Sequence, residues 1–172
     1  MKTVRWFCAV ALAVLAAPAV RAQEPPKPGP EHEFLKKLVG TWDLTMKFGG
    51  METKGVVTYK TDLGGLWLLS SLESEFGGMK FQGRGMDSYD PAKKKYVGVW
   101  IDSMSTSPLV MEGTFDKQKK ALTMVGEGPG MDGKPTKYKT VSEWKDDDTM
   151  HVGMYVGGGA NPDFTFVYKR RK

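Results

Sequence analysis

Few side chains in this sequence could do chemistry, and most fall in one stretch, Gly83 to Thr106 (GRGMDSYDPAKKKYVGVWIDSMST). Its second half sets Trp100 and Asp102 two residues apart. A strand would place both on one face with Tyr96 and Gly98, just ahead of the polar cluster Ser103, Ser105 and Thr106. If that face points inward, a carboxylate beside an indole lies at the mouth of an enclosed site. Desolvation raises the pKa of such a carboxyl, which can then orient a polar ligand or act as a general base. The competing reading is structural: Asp102 caps a turn and accepts bonds from local backbone amides. Alternation alone does not say which face is inside.

Other chemistries are limited by what the chain contains. His32 and His151 are the two histidines, and Cys8 is the single cysteine. A three-histidine zinc site cannot be assembled from these residues, and thiol chemistry has no residue to use beyond position 8. His32 falls in a charged segment and is expected to be solvated. His151 alternates with Gly153 and Tyr155 against Met150, Val152 and Met154. The run Asp146-Asp147-Asp148 lacks the spacing of an EF-hand and reads as a turn, with calcium as the alternative. GEGPGMDG lacks the Lys-Ser/Thr pair and the following helix of a phosphate loop, and no G-x-S-x-G elbow occurs. No metal site is expected.

Residues 1–22 read as a signal peptide. Lys2 and Arg5 precede an apolar run from Trp6 to Ala17, and Val20-Arg21-Ala22 offers a cleavage site before Gln23. The run is too short for a membrane span, which needs about 20 residues. The expected location is therefore periplasmic or secreted. Without Lys2, Arg5 and Arg21 the net charge falls from +5 to +2. That balance argues for no nucleic-acid partner, and the basic end Lys169 to Lys172 reads as a solvated terminus. A cysteine-free exported domain must be stabilised by its core alone.

Residues 23–30 (QEPPKPGP) form a Pro-rich linker, and residues 31–172 form a single domain. EHEFLKKLVG predicts a short amphipathic helix stopped by Gly40. From there the pattern has a period of two, as in TWDLTMKF, where Trp42, Leu44, Met46 and Phe48 share a face. Glycine pairs, DPAKKK, the Lys117 to Lys120 run, a Gly128 to Pro135 loop, the aspartate run and GGGANP divide the remainder into about ten strands. The fold class is all-β: an antiparallel up-and-down β-barrel of about ten strands with a short N-terminal helix. In-strand glycines such as Gly83, Gly85, Gly98, Gly113 and Gly153 are expected at bends and bulges. A membrane-spanning barrel fits less well, because lysines occur mid-strand and the aromatic residues form no regular girdles.

The segment HEFLKKLVGTWDL, through Gly40 and Trp42, resembles the opening of calycin-type barrels such as lipocalins, in which the tryptophan closes one end. More of the chain, through EHEFLKKLVGTWDL, DLGGLWLL, GMDSYDPAKKKYVGVWIDSMST and the GTFD–GEG hairpin, resembles a bacterial secreted family catalogued as domain of unknown function 1579. The resemblance covers Glu31 to about Tyr168 and implies a lipocalin-like or nitrobindin-like barrel, without catalytic residues to carry over. Nitrobindin-like barrels hold haem through a histidine on a late strand, which would be His151 here. Haem is the one cofactor this resemblance suggests.

The expected function is binding of a small hydrophobic or amphipathic molecule by a monomer or homodimer. Trp42, Tyr96, Trp100, Asp102, Ser103, Thr106 and Trp144 are the candidate lining. Methionines such as Met46, Met79, Met86, Met104, Met111, Met124, Met150 and Met154 would supply adaptable apolar surface. Two alternatives stand beside it: an enzyme using Asp102 or haem in the same cavity, and an envelope-associated structural protein whose barrel is filled by side chains.

Overall fold

The computed structural model describes residues 24–130 and 132–172. The expected signal peptide lies outside the described residues. Helix α1 (Pro30–Lys36) is followed by ten strands: β1 (Gly40–Phe48), β2 (Met51–Asp62), β3 (Trp67–Phe76), β4 (Met79–Asp90), β5 (Lys95–Asp102), β6 (Leu109–Asp116), β7 (Ala121–Pro129), β8 (Pro135–Trp144), β9 (Thr149–Val156) and β10 (Phe164–Arg170). Each strand pairs antiparallel with its sequence neighbours, and β10 pairs back onto β1 to close the barrel. Closure leaves no unpaired sheet edge.

The ladders are regular. Between β4 and β5, for example, pairing runs without a slip from Gly83↔Asp102 to Asp90↔Lys95. The in-strand glycines therefore do not interrupt the pairing as bulges would, and this corrects the expectation at Gly83, Gly85 and Gly98. They make room instead. A Cβ on Gly83 would lie 2.1 Å from Cζ2 of Trp100, so the indole lies flat across that stretch of β4.

The two ends of the barrel are built differently. At one end the turns are charged, and each is held by an aspartate whose Oδ1 accepts from backbone amides. Asp90 accepts from Ala92 and Lys93, Asp116 from Gln118 and Lys119, and Asp146 from Asp148. This end is closed by α1 and the turn after it, which place Phe34, Leu35 and Leu38 in a core with Trp42, Leu68, Tyr96, Met124 and Met150. Trp42 is fully buried; its Nε1 donates to the Leu38 carbonyl at 2.8 Å, and the Arg170 guanidinium lies 4.2 Å over its ring. Arg170 also donates to the carbonyls of Val39 (2.7 Å) and Lys37 (2.6 Å) and to Oδ1 of Asp148 (3.1 Å). The last strand thereby clamps the joint between helix and first strand.

The opposite end carries glycine-rich turns. The tetrapeptide FGGM occurs twice, at Phe48–Met51 and at Phe76–Met79. In each copy both glycines have positive φ (54° and 81°; 58° and 83°), as tight primed hairpin turns require. Met51, Met79 and Met104 are exposed around this end. Outward positions along the strands include Lys54, Lys60, Glu73, Lys80, Arg84 and Glu143, so the outer wall is charged in mid-strand. Among the described residues no helix is long and apolar enough to cross a membrane.

Candidate functional site

Register and burial fix the faces. On β5, Tyr96, Gly98, Trp100 and Asp102 point inward, while Val97, Val99 and exposed Ile101 point out. On β4 the inward set is Phe81, Gly83, Gly85, Asp87 and Tyr89. Trp67 and Met86 take outward positions, so Met86 is not a lining residue.

The proposed lining residues divide between the two ends. Trp42, Tyr96 and Trp144 belong to the plug under α1; the Phe34 ring lies 5.6 Å from that of Tyr96 and 5.0 Å from that of Trp144. Trp100 and Asp102 lie toward the glycine end. Asp102 lies beside the indole and also holds the local turn: Oδ2 accepts from the Trp100 indole at 2.9 Å and Oδ1 accepts from the Met104 amide at 2.9 Å. Ser103 is exposed and bonds β4, its Oγ accepting from the Gln82 amide at 3.1 Å. Thr106 is exposed in the loop that follows.

Neither histidine faces the open interior. His151 is exposed on the outer wall, paired across to Glu143 and Val167, because its neighbours Met150 and Val152 take the inner face. The donor set of this barrel therefore does not fit an interior haem held through His151. His32, expected to be solvated, is buried; its Nδ1 accepts from the Gly29 amide at 3.0 Å and its ring meets Tyr89 edge-on. Helix α1 turns that face into the barrel, which its charged sequence conceals. Among the described residues no group of three His, Cys, Asp or Glu is arranged to hold a metal.

The interior polar site centres on a residue the sequence reading did not single out, Asp87. Its carboxyl lies deep in the barrel, and burial alone pushes its pKa up to about 7. Among the described residues no hydrogen bond or opposite charge offsets that desolvation. Tyr59 and Tyr168 face the same volume, close enough for the Asp87 charge to act on both hydroxyls. Burial, then Tyr168 and Asp87, holds Tyr59 well above the usual phenol range, and burial pushes Tyr168 up to about 12. Ser70, also buried, reaches over Gly85 beside the edge of Trp100.

These residues are far from bulk water yet not sealed in. Tyr59, Asp87, Trp100, Phe166 and Tyr168 all point inward and all keep some accessible surface, as do Thr140, Ser142 and Val152 across the barrel. No fully enclosed side-chain polar atom among the described residues lacks a partner. The inward polar groups are thus desolvated without being tightly covered by neighbouring side chains. At the glycine end, Met46, Phe48, Met51, Thr53 and Phe76 line a depression of about 680 Å³ whose rim also carries Glu52, Lys54 and Glu75. It adjoins a second apolar cluster of Leu44, Val57 and Leu72, against which Tyr59, Trp100 and Tyr168 pack.

Comparison with known proteins gives one family match and similarities to solved structures. Residues 27–170 match the family described as "Protein of unknown function (DUF1579)". Among solved structures, the crystal structure of Rv2717c from M. tuberculosis is similar to this chain at 15% identity with a TM-score of 0.59, covering 84% of this chain and 99% of that one. A de novo designed fluorescence-activating beta barrel aligns at 13% identity with a TM-score of 0.47, covering 80% of this chain and 96% of the design. No curated protein matches the sequence.

Proposed function

The chain belongs to the DUF1579 family, whose description names no activity, and we propose that it binds a small apolar or amphipathic molecule inside the barrel. The observation that carries this reading is Asp87, pointing inward opposite Gly98 among Tyr59 and Tyr168, desolvated and unpartnered. A barrel filled for stability alone gains nothing from an unpaired interior carboxyl, whose burial is costly. A concave apolar site with a few converging polar groups is the usual form of a small-molecule site. Export through residues 1–22 places this binding in the periplasm or outside the cell.

A second reading rests on the same carboxyl. A pKa of about 7 is where a general base operates, so Asp87 is the residue around which an enzymatic role would be built. Native mass spectrometry of protein purified from its own host tests the binding reading. A co-purifying mass, or displacement of the neutral dye Nile red by a host lipid extract, supports it. A bare chain that also fails to enhance Nile red fluorescence overturns it.

A further inference from the structure

The inward-facing positions carry an unusual balance of charge. Asp87 and Asp102 are the inward carboxylates, and Arg170 is the one inward cation among the described residues. Arg170 is committed at the closed end, over Trp42 and bound to Asp148 and to the carbonyls of Lys37 and Val39. Asp102 is occupied by the Trp100 indole and the Met104 amide. Asp87 remains without a partner: it points inward opposite Gly98, where a Cβ would lie 2.5 Å from its Oδ1, and it shares the interior with Tyr59 and Tyr168.

We infer that the occupant of this interior is an amphipathic amine, whose protonated nitrogen meets Asp87 among the tyrosines while its apolar body lies along Trp100, Leu72 and Val57 toward the glycine end. The inference rests on the binding reading above and narrows it to one ligand chemistry. A buried, unpaired carboxylate suits an ammonium group by charge pairing, and the aromatic side chains around it suit the apolar part of the same molecule. The same surroundings reject a carboxylate-headed amphiphile, which would bring a second negative charge into a desolvated space with no cation to meet it. An alcohol head can bond to Asp87 but gains no charge pairing.

Three probes with the same tail separate the possibilities: n-octylamine, n-octanol and sodium octanoate, titrated calorimetrically into the full domain at pH 8. The expected result is octylamine tighter than octanol by at least tenfold, with octanoate weaker still. Asp87→Asn, checked for folding by circular dichroism, should lose at least tenfold for octylamine while octanol affinity stays within threefold. If the variant does not fold, the order of the three probes on the unaltered protein still decides. Equal binding of all three, or a preference for octanoate, overturns the amine assignment and leaves the binding reading standing. Binding of none of them overturns both.

Discussion

The Asp87 carboxylate occupies the space that a side chain at Gly98 would take: a Cβ built on Gly98 would lie 2.5 Å from Asp87 Oδ1 and 3.4 Å from the Met124 methyl. The two residues face each other across the β4–β5 ladder. Gly98→Ala should therefore displace the carboxyl or strain the strand pair. It should lower stability by about 1–3 kcal/mol, the usual cost of overpacking a core. Urea denaturation checks this, and a wild-type midpoint in the variant would mean that the carboxylate is not held there.

Asp87 also gives stability a pH dependence of definite sign. Its folded pKa of about 7 lies above the unfolded value of roughly 3.9. The folded state therefore binds the extra proton, and this contribution is complete below about pH 4 and is lost as pH rises through 7. The loss amounts to at most about 4 kcal/mol. Denaturation series from pH 4.5 to 8 should show falling stability for the native sequence and a flatter profile for Asp87→Asn. Parallel profiles would refute the assignment.

Gly83 receives the Trp100 indole, with a hypothetical Cβ only 2.1 Å from Cζ2. Gly83→Ala should push the ring off β4 and break its bond to Asp102, costing about 1–3 kcal/mol. Tryptophan emission should shift with it. Emission and thermal midpoint both matching the native protein would contradict this placement.

Arg170 joins the last strand to the helix–strand joint through a planar fork. Arg170→Ala should cost about 2–4 kcal/mol by leaving carbonyls unpaired and Trp42 uncovered. Arg170→Lys should recover less than half of that, since an ammonium cannot reproduce the fork or the stacking. Full recovery by lysine would reduce the clamp to simple charge.

His151 stands on the outer wall, so His151→Ala should change stability by no more than about 0.5 kcal/mol. The haem test is equally direct. A Soret band that disappears in His151→Ala would reinstate the histidine as a ligand.

The sequence carried the strand boundaries well, because glycine pairs and aspartate turns punctuate an almost unbroken alternation. The helix–tryptophan closure was equally legible at Trp42. Facing was not. Trp42, Tyr96, Trp100 and Trp144 share an inward parity, but the depth of each along the barrel axis depends on where α1 inserts, which no local pattern encodes. Asp87 was overlooked because it sits mid-strand among polar neighbours in GMDSYD. The available signal was its parity with Gly83 and Gly85 and its position opposite Gly98, three small residues that leave room for something larger. His32 was misplaced for a related reason: flanking glutamates mark the helix as charged without saying which side turns inward.

The helix plug has a kinetic consequence. With one end covered by α1 and locked by Arg170, a guest in the proposed interior site would exchange through the glycine end. A newcomer cannot push the resident out from behind, so departure is first-order and its rate is independent of competitor concentration. The dwell time is then governed by the two FGGM turns and their neighbours rather than by the helix. A stopped-flow displacement trace would read the motion of that rim directly.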